Sequence, residues 1–110
     1  MKTTTLDSAL QNLQPLNDEI RYADCFASPD FKAGVISFRP TKDGDPKQIT
    51  HSDQDVVCQV LNGSGRLRIN DERTPLHPGV ICHIPKGTPH DFASEGSGDL
   101  VLFYLLIKTR

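Results

Sequence analysis

The stretch Gly79-Val80-Ile81-Cys82-His83-Ile84-Pro85-Lys86-Gly87-Thr88-Pro89-His90 decides how the chain is read. A turn glycine opens it, a short β-prone run follows, and Pro85-Lys86-Gly87 forms a tight corner. Proline presets φ at the first corner position, and glycine takes the positive φ that other residues resist. His90 stands three residues past Gly87, where a returning strand should begin. A histidine placed straight after a rigid corner is held by backbone geometry, as a ligand or general base must be.

Upstream of this stretch the pattern is one of short strands. Val56 to Leu61 is apolar and β-branched and is broken by Asn62-Gly63-Ser64-Gly65. Arg66-Leu67-Arg68-Ile69 alternates polar with apolar, as a strand with one wet face does. That alternation puts Arg66 and Arg68 on the surface. Asn70-Asp71-Glu72-Arg73 is read as a hairpin turn leading to Thr74-Pro75-Leu76. Earlier still, Ile20-Arg21-Tyr22 and residues 33–40 are strand-like, and Thr41-Lys42-Asp43-Gly44-Asp45-Pro46 has turn chemistry. At the N-terminus, Leu6, Ala9, Leu10 and Leu13 share one helical face, and Pro15 ends that pattern.

Downstream, Ser94-Glu95-Gly96-Ser97-Gly98 is a loop, and Leu100 to Ile107 is apolar at every position. A strand of that kind needs cover on both faces: the core on one, the N-terminal arm or a second copy on the other. Phe103 and Tyr104 must face opposite ways, one of them into the interior. Short strands punctuated by glycine and proline, with almost no helix, predict an all-β sandwich or barrel. We expect one domain, with residues 1–32 as an arm and first strand and residues 33–110 as the barrel.

With 110 residues the chain can bury a core without disulfide or metal support. A net charge of −2 and no Lys/Arg-rich run argue against nucleic-acid or acidic-membrane partners. The first residues lack the apolar segment of a signal peptide, and the longest apolar run is far too short to span a bilayer. Cys25, Cys58 and Cys82 share no metal-binding spacing and are read as reduced thiols of a cytoplasmic protein. Cys58 shares the strand parity of Val56 and so can face the interior.

The spacing from Gly79 through Pro85 and Gly87 to His90 resembles the second conserved motif of the cupin superfamily. Ser94 stands where that motif usually has asparagine. Gly63 lies sixteen residues before Gly79, close to the inter-motif distance of small cupins. The first motif of the family supplies two histidines and a glutamate. Aligned on Gly63, the second histidine falls on His51, the first position holds Ile49, and the glutamate position holds Val56. The resemblance implies an antiparallel jelly-roll barrel (a double-stranded β-helix) with a short N-terminal arm or helix, and a homodimer.

It also implies a divalent metal, such as iron, manganese, nickel or zinc, bound through His51 and His90. A third ligand could come from Asp55, with Asp53 or His83 as weaker candidates. Asp55 has strand parity opposite to Val56, which would turn it away from the interior. His83 is mid-strand and expected in the core or an interface, and His77 in the Leu76-His77-Pro78-Gly79 turn is expected to be exposed. The cavity would take a small polar molecule for oxygenase, isomerase or lyase chemistry. An alternative is a metal-free, sugar-epimerase-like site, with Asp55 supporting His51 as base and Tyr104 or Tyr22 as acid. A third reading is a binding or sensory barrel with no chemistry.

Overall fold

A computed structural model describes residues 1–40 and 46–109. The Thr41–Asp45 part of the expected turn lies outside the described residues. Helix α1 (Leu6–Gln11) is capped by Thr5, whose side-chain oxygen accepts the Ser8 backbone N–H at 3.1 Å. It is followed by β1 (Gln14–Pro15), β2 (Ile20–Ala27), β3 (Phe31–Phe38), β4 (Gln54–Asn62) and β5 (Gly65–Ile69). The remaining strands are β6 (Glu72–Leu76), β7 (Ile81–Ile84), β8 (His90–Ser94) and β9 (Leu100–Lys108). The helix is shorter than its apolar spacing suggested. Ala9 and Leu13 pack inward, whereas Leu6 and Leu10 stay exposed.

The strands form two antiparallel sheets, one ordered β1-β2-β3-β9-β4-β7 and the other β6-β5-β8. Side chains alternate between the faces of each strand, so one face of each sheet can pack on the other. Phe38, Val56, Cys58, Val60, Leu100 and Leu102 of the larger sheet meet Leu67, Leu76 and Phe92 of the smaller one. Phe38 and Phe92 stack across the gap with ring centroids 5.4 Å apart. The opposite face of the larger sheet carries a second cluster, where Ala9 of α1 covers Ala23, Val35 and Val101. The arm therefore covers the start of β9, and Phe103 beyond it remains 37% exposed.

The β5–β6 turn is tighter than expected. Ile69 pairs with Glu72, leaving Asn70 and Asp71 as its two residues, with Asn70 at φ 55°. Arg66 and Arg68 also depart from expectation. Their parity is as read, opposite Leu67, but the face they occupy is not wet. Arg66 Nη1 lies 2.6 Å from Asp91 Oδ1, and Arg68 Nε donates to Asp91 Oδ2 at 2.8 Å. The Arg66 and Asp91 side chains are 5% and 3% exposed. The Pro46 carbonyl accepts from Arg68 Nη2 and brings the chain over this ion pair. Charged side chains are tolerated so deep when they are paired and hydrogen-bonded, as these are.

Candidate functional site

The face of the larger sheet that looks toward the smaller one lines a cavity of about 840 Å³. Ile36, Phe38, Val56, Phe92, Leu102 and Leu106 give it an apolar body. Asn17, Asp18, Glu19, Lys47 and Gln48 line part of it, and two further polar clusters are built by specific contacts. One is the pair His51 and His90; the other is Tyr104 with Asp24 and Lys32.

The histidine pair is built by backbone pairing. Gly87 takes φ 79° at the corner after Pro85, and its N–H donates to the His51 carbonyl at 2.7 Å. Ile49 and His90 exchange both backbone hydrogen bonds, at 2.8 and 2.9 Å. The segment that carries His51 is thus tied to the segment that carries His90, and the two imidazole centroids lie 5.7 Å apart. His90 is buried, at 2% exposure, and stands edge-on to Phe92. Its Nδ1–H donates to the Thr88 carbonyl at 2.9 Å, which leaves Nε2 of the neutral ring as an acceptor. Burial, then the nearby His90, holds the His51 pKa below the usual histidine value, with Asp53 opposing.

The second polar corner uses the parity of β9. Tyr104 faces the cavity and Phe103 faces outward. The Tyr104 hydroxyl donates to Asp24 Oδ1 at 2.5 Å, and burial followed by this carboxylate pushes the phenol pKa up. Lys32 Nζ lies 3.7 Å from Asp24 Oδ2. Tyr22 also lines the cavity. Sequence parity put one of Phe103 and Tyr104 inside, but Asp24 carried no signal, because its hydroxyl partner is 80 residues away in the chain.

Asp55 and His83 are brought together, but not with His51. His83 Nε2–H donates to Asp55 Oδ2 at 2.9 Å, and the Lys86 backbone N–H donates to Oδ1 at 2.9 Å. These bonds, the one from His83 first, hold the Asp55 carboxyl below its usual range. His83 is exposed rather than a core residue, because it sits on the outward parity of β7 beside Val57. Asp53 is exposed beside His51, and His77 is exposed in its turn. Asp55 is therefore not positioned to support His51 as a base. Among the described residues no group of three or more His, Cys, Asp or Glu side chains could hold a metal ion. Two imidazoles fall short of the three protein ligands that a catalytic zinc site normally keeps, so the donor set does not fit a resident metal of that kind.

Cys58 does line the cavity, as its parity indicated. It is the direct cross-strand partner of Cys82. A hydrogen bond shared between the two thiols draws the Cys82 pKa down to about 7, while the same bond and burial push Cys58 up. All three cysteines are free thiols. Among the described residues no helix is long and apolar enough to cross a membrane.

A barrel of two facing antiparallel sheets, with a histidine placed by a Pro-x-Gly corner at the cavity wall, defines the cupin class. The cupin domain model matches residues 34–107, and the chain belongs to that family. Solved structures agree on the fold. The cupin domain of Schizosaccharomyces pombe Cnp3 is similar with a TM-score of 0.82 at 20% identity, covering 97% of this chain and 74% of that one. KdgF from a Halomonas species has a TM-score of 0.77 at 22% identity, covering 96% and 94%. TT1209 from Thermus thermophilus has a TM-score of 0.78 at 22% identity, covering 98% of each chain. No curated protein matches the chain in sequence.

Proposed function

We propose that this cupin is a small-molecule-binding barrel that holds an organic guest against His51 and His90 in its cavity. The observation that carries the reading is the histidine pair itself. Two rings 5.7 Å apart, one of them only 2% exposed, stand at the wall of a largely apolar cavity. A concave apolar site with a few fixed polar groups is the usual design for binding a small molecule. The guest supplies hydrogen-bond donors, and the neutral imidazoles accept them.

A second reading has its own support. The Thr88 carbonyl occupies His90 Nδ1, so Nε2 is the ring nitrogen left for a ligand, and burial favours the uncharged ring of His51. Such nitrogens are also what a divalent ion binds, with water or atoms of the guest completing its shell. The His51–Asp55 base of the metal-free epimerase-like reading lacks this support, since Asp55 is engaged by His83 and Lys86.

The experiment is elemental analysis by mass spectrometry, paired with an NMR titration of small organic fragments. Both are run on the wild type and on the His51→Ala/His90→Ala double variant. We expect fragments to shift the cavity resonances of the wild type and to bind far more weakly to the double variant. Near-stoichiometric metal that vanishes in the double variant would put the metal reading first. Fragment binding that ignores the double substitution would overturn both.

A further inference from the structure

Three polar atoms at the wall of this cavity present themselves as acceptors, although lysines and amides line it as well. Tyr104 spends its one hydroxyl proton on Asp24 Oδ1, so its oxygen meets a guest as an acceptor. The Nδ1–H of His90 is used by the Thr88 carbonyl, so Nε2 is the atom left over. Asp24 Oδ2 is faced only loosely by Lys32, whose Nζ at 3.7 Å is beyond hydrogen-bonding range. The Lys32 side chain is 47% exposed and can move to water without leaving a buried charge behind.

The charges around the cavity agree. Among its described lining residues Asp18, Glu19 and Asp24 stand against Lys32 and Lys47. Arg66 and Arg68 would be the natural clamp for an anion, but they hold Asp91 on the other face of the smaller sheet. A carboxylate guest placed at Asp24 and Tyr104 would therefore meet acceptors, in a lining with one more acidic than basic group. An ammonium brings three donors and a positive charge, which this set can satisfy.

We propose that Asp24 and Tyr104 form an amine-binding subsite, so that the guest of this barrel is a primary amine with an apolar body. The ammonium lies against Asp24 Oδ2 and the Tyr104 oxygen, and Lys32 swings out to admit it. The apolar part rests on Ile36, Leu102 and Leu106. This inference builds on the reading of the barrel as a small-molecule site and names the chemical class it takes.

The test uses three probes that share one ring and differ in charge: benzylamine, benzyl alcohol and benzoate. Each is titrated at neutral pH into the wild type, Asp24→Asn and Lys32→Met, with NMR shifts of cavity residues as the readout. Asparagine keeps an acceptor for the Tyr104 hydroxyl, so Asp24→Asn removes the charge without removing that bond. The expected result is that benzylamine binds at least about tenfold more tightly than benzoate, the scale of one charge-assisted hydrogen bond. Asp24→Asn should abolish that preference and leave benzyl alcohol unchanged, while Lys32→Met should strengthen benzylamine. Benzoate binding as well as benzylamine in the wild type, or a preference untouched by Asp24→Asn, would overturn the amine subsite alone. Failure of all three probes to bind would overturn the small-molecule reading and the subsite with it.

Discussion

Gly34 makes the space in which Tyr104 lies. The two are direct partners across β3 and β9, and Asp24 is the partner of Gly34 on the other side. A Cβ at position 34 would come within 2.6 Å of the Tyr104 hydroxyl oxygen and 2.3 Å of the Ala23 carbonyl. The bare backbone of Gly34 thus lets the phenol cross an entire strand to reach Asp24. Gly34→Ala should lower stability by about 1–3 kcal/mol through overpacking. Tyr104→Phe, which removes only the hydroxyl, should cost about 1 kcal/mol. Urea denaturation of the two variants checks the difference; equal midpoints for Gly34→Ala and the wild type would mean that Tyr104 does not lie where this row places it.

His51 should titrate below the ordinary histidine pKa of about 6.5 in an NMR pH series. His90→Ala should move it partway back up, because burial remains when the neighbouring ring is gone. A folded pKa below the unfolded one means that the unfolded chain takes up the proton first as pH falls. The contribution of this group is therefore fully present above the unfolded pKa. It is lost as pH drops from there through the folded value.

The Asp91 carboxylate is shared by two arginines, the buried Arg66 and the half-buried Arg68. Asp91→Ala should destabilise the fold by about 3–5 kcal/mol, since it breaks a buried ion pair by removing its acidic member. The same substitution should leave binding in the cavity intact in the fraction that folds, because Asp91 points away from it. Denaturation midpoints and fragment titrations measured side by side separate these two effects.

Cys82 should be the most readily alkylated thiol of the three. Its pKa is drawn to about 7 and it is partly accessible, while Cys58 is buried with its pKa pushed up. Peptide mass mapping after brief iodoacetamide treatment should find Cys82 labelled first, with a rate that rises through pH 7. Cys58→Ala should bring that midpoint up toward the ordinary thiol range by removing the shared hydrogen bond.

What could be read in advance follows from what is local. The corner at Pro85 and Gly87 specifies its own φ values, so the site of His90 is legible from a dozen residues. Strand parity sorts Cys58 inward and Asp55 outward for the same reason. Parity does not say whether an outward face is wet. Arg66 and Arg68 face outward as read, yet Arg66 is buried and Arg68 half-buried because Asp91 and the chain at Pro46 lie over them. The partners of Asp55 and Asp24 come from strands 28 and 80 residues away, and no spacing within one strand announces them.

The backbone pairing of Ile49 with His90 outlasts the side chain that the family usually places there. Both hydrogen bonds of that pair are made by main-chain atoms, so they form whatever residue occupies position 49. Ile49 itself already borders the cavity. A third imidazole could therefore be restored by one substitution, with no rebuilding of the barrel. Ile49→His should acquire cobalt(II) with the visible absorption of a nitrogen-ligated ion, where the parent chain takes it up weakly or not at all. By this route the difference between a barrel that grips a guest directly and one that works through a metal is a single reversible replacement on a main-chain ladder.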